Sequence, residues 1–429
     1  MRLLGQAAWV FADRAAFAGS IFATGVLIAR TCGPEGFGLY LWVSAIVQTV
    51  LGAIAVGAEV PFVRAYAGHA SFVARMQVLD AFTRALRIAA MSAAVLLVMA
   101  GLAAGWLAPN LSAGGSNTQL MLFAGVASLI QLPWMLGEWR LRSSGQAARI
   151  ARIRVPFLCA SFCVKALLAI WGAPLHWLYL AIGLESALMA WLLCWQARQA
   201  ELEGNPDSPV HLVVEIPRVP EALRLGLASI VVVAFFRLNP VILGLVAGVS
   251  ETAAYGAALA LVLTFDLVTT SISSAMFPSI VRDRLSPHDS LQVLRRLGNA
   301  YAGLAAVFVI AMFAFGDWLL ALVYGPSWER AHPVLMVLSL STLFTSSAAI
   351  RGLYINLIGR SDLHLANGLL GVCALLPLSL ALSGQYGSLG AAVSMTLACA
   401  LSGIVGSFLF EPTREIGRVQ LRAFLPGIR

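Results

Sequence analysis

Residues 9–58 read WVFADRAAFAGSIFATGVLIA, RTCGPEGF, GLYLWVSAIVQTVLGAIAVGA: two apolar runs of 21 residues around a break of eight. A helix rises about 1.5 Å per residue, so either run crosses a hydrocarbon core of about 30 Å. Gly33, Gly36 and Gly38 let the chain reverse tightly in the break, because glycine reaches backbone conformations closed to other residues. The stretch predicts a pair of antiparallel membrane helices.

Outward from it the same pattern recurs, giving twelve runs: 9–29, 38–58, 88–108, 118–137, 155–173, 175–195, 223–248, 253–277, 297–322, 333–358, 363–383 and 386–410. The chain is 60% hydrophobic and 11% charged, which excludes a soluble globular domain. The predicted class is an all-α polytopic membrane protein of twelve transmembrane helices. Its layout is an N-terminal six-helix lobe over 1–200, a cytoplasmic linker over 201–222, a C-terminal six-helix lobe over 223–410 and a basic tail over 411–429. Arg2 leads directly into the first run and no small-residue cleavage site follows it, so no cleavable signal peptide is expected.

Arginine and lysine set the orientation. Counting Arg224 at the lip of the seventh run, 22 of the 28 lie at the N-terminus, in even-numbered breaks or in the tail. The odd-numbered breaks hold only Arg30 and Arg330. Basic residues stay on the cytoplasmic side, so both termini are expected in the cytoplasm. The formal charge of +8 is this excess facing anionic headgroups, and no nucleic-acid partner is implied. Two stretches on that side have amphipathic spacing. Phe72, Met76, Leu79, Phe82 and Leu86 predict a helix lying on the inner surface over 71–87, and Arg414, Arg418 and Arg422 predict a basic stripe on a tail helix.

The chain also repeats itself at an offset near 215. Gly33…Gly38-Leu39-Tyr40 matches Gly248…Ala253-Ala254-Tyr255, Pro61-Phe62-Val63-Arg64 matches Pro278…Val281-Arg282, and Gly137-Glu138-Trp139 matches Gly352-Leu353-Tyr354. Six spans per half return the chain to the same side. The two lobes should therefore be related by a pseudo-two-fold along the membrane normal, with a cavity between them.

Seven ionisable residues within the runs are the candidate functional groups: Asp13, Arg14, Lys165, Glu185, Arg237, Asp266 and Arg351. Facing lipid, they would together cost about 20 kcal/mol, so they must face protein or water, or snorkel to the surface. Arg14 and Arg351 lie close enough to an end to snorkel. Lys165 and Glu185 come out at matching depths of about 15 Å, which predicts an ion pair. Arg237 comes out near 20 Å, deeper than Asp266, a mismatch that argues against a simple pair and for Arg237 pointing into a cavity. Arg237, Arg14, Lys165 and Arg351 are the candidates for an anionic substrate, since guanidinium groups fork onto phosphate oxygens. Asp266, Glu185 and Asp13 are the candidates for a coupling proton or cation.

Bond-making chemistry has no visible seat. Lys165 is the single lysine and has no glycine-rich loop, so there is no phosphate loop of an ATPase. No HExxH motif stands on any run and the external breaks are short, so no enzyme, cofactor or metal is expected. Cys159 and Cys163 share a helical face but have no His or acid to complete a metal site, and they read as small apolar packers. Only Cys32 reaches an external break, so no disulfide is expected.

The stretch Ala29-Arg30-Thr31-Cys32-Gly33-Pro34-Glu35-Gly36-Phe37-Gly38-Leu39-Tyr40 resembles the first-loop signature of bacterial polysaccharide exporters of the oligosaccharide flippase type, within the multidrug/oligosaccharidyl-lipid/polysaccharide exporter superfamily. Arg237-Leu238-Asn239-Pro240-Val241-Ile242-Leu243-Gly244 with Ala254-Tyr255, then Met276-Phe277-Pro278, then Tyr324-Gly325-Pro326…Ala331 are similar to the same family. The resemblance implies alternating access in the inner membrane and an undecaprenyl-pyrophosphate-linked oligosaccharide as substrate. It also implies cavity cations for the pyrophosphate, an ion gradient as drive, and a polysaccharide polymerase and chain-length regulator as partners. Where the family often carries an acid after the seventh-span basic residue, this chain has Asn239, which leaves coupling to Asp266, Glu185 and Asp13. The alternative is an ion-coupled small-molecule or drug antiporter.

Overall fold

The computed structural model describes residues 2–68, 72–107, 115–144, 146–203, 219–282, 287–358, 360 and 362–424. Thirteen α-helices follow one another in the described residues: α1 (Arg2–Gly68), α2 (Phe72–Leu107), α3 (Gly115–Leu129), α4 (Met135–Ser143), α5 (Ala147–Ile170), α6 (Leu175–Glu203), α7 (Val219–Val246), α8 (Val249–Arg282), α9 (Pro287–Tyr324), α10 (Ala331–Leu357), α11 (Asp362–Ala400), α12 (Gly406–Leu409) and α13 (Arg414–Phe424). Among the described residues, nine helical stretches are long and apolar enough to cross a membrane. Two of them, Ala12–Val63 with 52 residues and Asp362–Leu409 with 48, are each long enough to cross twice, and α7 holds a shorter apolar stretch, Val233–Val246; a layout of twelve helices is consistent with these lengths. The chain is an all-α, multi-pass membrane protein.

Its surface is that of a protein in lipid. On α2, Ile88, Met91, Val95, Leu96, Met99 and Leu102 are all more than half exposed, and α9 shows the same with Val307, Ile310, Phe315, Trp318 and Leu322. No soluble protein leaves continuous apolar helix faces of that size in water.

The double crossings are explained by glycine. In α1 the helix breaks at Gly33 (φ 68°, ψ −175°), and in α11 at Gly387 (φ 56°, ψ −134°), both in backbone space that a side chain excludes. The other helical pairs on the repeat turn at Gly172 (φ 71°) and Gly248 (φ 92°). Gly33 and Gly248 are 215 residues apart, and so are Gly172 and Gly387. The offset read from the sequence is thus carried by the backbone: equivalent turns in the two halves use the same left-handed glycine.

The chain divides into two compact units, Met1–Val233 and Ala234–Arg429. This boundary falls inside α7; most of the 201–222 stretch read as a linker lies outside the described residues. In the first unit α1 packs on α5 and α3, and α6 packs on α3 and α4. Gly137 of α4 sits so close to Cys194 of α6 that a Cβ there would overlap the Cys194 backbone, so the two helices touch as small residues allow in membranes. In the second unit α10 is the central helix, packed by α8, α9 and α11.

Two amphipathic readings meet different outcomes. The 71–87 stretch forms no separate surface helix: α2 runs unbroken from Phe72 to Leu107, and at about 1.5 Å per residue its first turns extend the third span beyond the hydrocarbon. The tail does form a helix. In α13, Ile416 and Gln420 are buried while Arg414, Arg418 and Arg422 are exposed along one stripe.

Candidate functional site: the intramembrane charges

The charges of the first unit are organised into two ion-paired groups. In the first, Arg154 of α5 donates to both carboxylate oxygens of Asp13 on α1, at 3.1 and 2.9 Å, and its other terminal nitrogen meets Glu138 of α4 at 2.6 Å. Glu138 also meets Arg142 at 2.5 Å, and Arg142 reaches Glu59 of α1 at 3.5 Å. Five charges alternate in sign and tie α1, α4 and α5 together. Sequence reading singled out only Asp13 of these. The others sit at or beyond span ends, where a charge is ordinary, so only the packing shows that they form one network.

In the second group, Lys165 of α5 donates to Glu185 of α6 at 2.6 Å and to Thr24 of α1 at 2.9 Å, and it is 3% exposed. The depth agreement between Lys165 and Glu185 is realised as this ion pair. Its two partners occupy the buried ammonium group.

The second unit handles its charges differently. Asp266 of α8 accepts a hydrogen bond from the Thr345 hydroxyl of α10 at 2.8 Å, and among the described residues no cation pairs with it. Of the three acids proposed for coupling, it alone faces a hydroxyl in place of a cation. Arg351 of α10 does not snorkel, as its depth allowed. It is 6% exposed and turns inward, donating to the carbonyls of Ser402 and Gly403, the latter at 3.1 Å, and to the Ser407 hydroxyl at 3.3 Å. Those carbonyls belong to a π-helical turn, Leu401–Val405, between α11 and α12. A π turn shifts the backbone ladder and leaves carbonyls to be satisfied from outside. Arg351 does that, which accounts for a buried guanidinium with no acid beside it among the described residues.

Asn239, which stands where the resemblance led one to look for an acid, is fully buried. Its amide donates to the Tyr255 hydroxyl at 3.1 Å and to the Ala391 carbonyl at 3.0 Å, tying α7 to α8 and α11. A carboxylate has no hydrogen to offer the Ala391 carbonyl, so the amide is the group this position needs. At the far end of α8, Glu251 accepts from the Ser388 backbone N–H at 2.8 Å and from its hydroxyl at 2.5 Å, capping the helix that restarts after Gly387.

Arg237 on α7 and Arg14 on α1 are both exposed. Asp317, in the last turns of the ninth run, is also exposed and was not singled out in the sequence.

No protein-family model and no curated protein sequence matches this chain. Solved structures do match. One is a lipid II flippase MurJ in an inward closed conformation, with a TM-score of 0.72 at 13% identity, covering 96% of this chain and 90% of that one. A multidrug resistance MATE family transporter of the MOP superfamily in an inward-facing conformation matches with a TM-score of 0.67 at 13% identity, covering 96% of both chains. The MATE multidrug transporter DinF-BH matches with a TM-score of 0.66 at 16% identity, covering 97% of this chain and 96% of that one. The chain has the fold shared by these MATE and MurJ transporter structures.

Proposed function

We propose that this protein is a flippase that carries an undecaprenyl-pyrophosphate-linked oligosaccharide, such as an O-antigen, capsule or exopolysaccharide repeat unit, across the bacterial inner membrane by alternating access, with both termini in the cytoplasm. The observation that carries the reading is Arg237, an arginine held at the surface of an apolar span. The planar fork of a guanidinium suits the oxygens of a pyrophosphate. Arg14, exposed on α1, is the second group assigned to that anion. Lys165 and Arg351 take supporting roles, holding α5 to α6 and the π turn in place. Asp266 is the favoured coupling group, because Asp13 and Glu185 already have cationic partners. A polymerase and chain-length regulator would receive the flipped unit.

The fold also favours a second reading, an ion-coupled drug antiporter, since MATE transporters share it. Arg237→Ala distinguishes them. For a flippase, surface polysaccharide falls by about tenfold to a hundredfold while the protein still inserts, consistent with loss of a charge-assisted contact. Normal polysaccharide in that variant, with drug tolerance that depends on the gene, would establish the antiporter in its place.

A further inference from the structure

The tail helix α13 has two faces with opposite tasks. Its inner face is docked: Ile416 joins Leu294, Leu297 and Tyr301 of α9 and Ile350 and Leu353 of α10 in one buried cluster. The Gln420 amide donates to the Ser347 carbonyl of α10 at 2.8 Å. Ile416 and Val419 are thus turned to the protein and away from lipid. Its outer face carries Arg414, Arg418 and Arg422, all exposed. On α9, between the docked Leu294 and Leu297, stand Arg295 and Arg296, also exposed. Against these five guanidinium groups, α13 and the turn before it set two exposed acids, Glu411 and Glu415.

The depth of this cluster is set by the chain. Only Phe410–Thr413 separates the end of α12 from α13, and Arg295 and Arg296 immediately precede the ninth apolar run. Side chains one turn beyond the hydrocarbon lie at headgroup level.

We infer that α13 and the adjoining turn of α9 form a binding surface for anionic phospholipid headgroups. The docked inner face makes the attraction electrostatic, without insertion, so it follows headgroup charge and weakens with salt. The inference is independent of the substrate carried.

The test is native mass spectrometry of the full chain in non-ionic detergent, titrated with phosphatidylglycerol, phosphatidylcholine or inorganic phosphate. The chain is expected to retain phosphatidylglycerol over phosphatidylcholine. R414Q/R418Q/R422Q is expected to weaken that retention by at least about tenfold, at roughly 1 kcal/mol for each basic group near an anionic surface. The triple Lys variant, which keeps the charge, is expected to bind as the parent does. Equal retention of phosphatidylglycerol by the Gln and parent proteins would overturn the proposal. So would loss of binding in the Lys variant, which would indicate disrupted docking or a forked site. Displacement by inorganic phosphate at equal concentration would point to a free-phosphate site, and would overturn it as well.

Discussion

At the scale of residues, the buried charges sort by partner. Lys165 and Glu185 pair, Asp13 is held by Arg154, and Arg351 serves backbone carbonyls, so each is satisfied inside the protein. Removing one member of a buried pair leaves the other uncompensated, at about 3–5 kcal/mol. Asp266 differs, having the Thr345 hydroxyl in place of a cation. Asp266→Asn keeps an oxygen to accept that hydrogen bond but cannot gain or lose a proton. The expected outcome is loss of gradient-driven transport with thermal stability held within about 1 kcal/mol. Glu185→Gln should instead lower stability, because it strips a buried ammonium of its anion. Parallel transport and melting measurements on the two variants separate a coupling group from a structural one. The matching depths of Lys165 and Glu185 were legible in the sequence, since both follow from counting along two helices. The inward turn of Arg351 was not, because it depends on a π turn about fifty residues away that no local pattern marks.

At the scale of elements, the glycine turns bear the fold's repeat. Gly172 has open space where a Cβ would stand, whereas at Gly387 the Glu251 carboxylate lies 2.5 Å from that position. Gly172→Ala should therefore cost only the left-handed backbone, about 1–2 kcal/mol. Gly387→Ala should cost more, about 3 kcal/mol or above, because it also pushes Glu251 off the Ser388 N–H. Melting curves in detergent check the order; a Gly172 variant less stable than the Gly387 variant would contradict it. The existence of a break near each glycine could be read from composition. The tertiary cap could not: Glu251, 137 residues away along the chain, accepts from the Ser388 N–H beside the Gly387 break.

At the scale of the whole molecule, the proposed topology of twelve crossings places both termini on the same face. Single cysteines placed at Arg2 and Arg418, in a chain whose own cysteines are replaced, should be labelled from one side of the membrane by an impermeant thiol reagent. A cysteine at Ala173 should be labelled only from the other side. Labelling of the two terminal cysteines from opposite sides would remove a span from the count. The exposed apolar faces of α2 and α9 fit the same picture, since those helices meet lipid along their length.

The sequence by itself determined the membrane class, the number of crossings and the repeat offset, because these depend on hydropathy, charge placement and glycine, all local properties. Tertiary structure alone decided which intramembrane charges are already satisfied. Electrostatic pairing depends on which helix faces meet, as in the five-charge network of Asp13, Arg154, Glu138, Arg142 and Glu59, and residues distant along the chain give no sign of that until the helices pack.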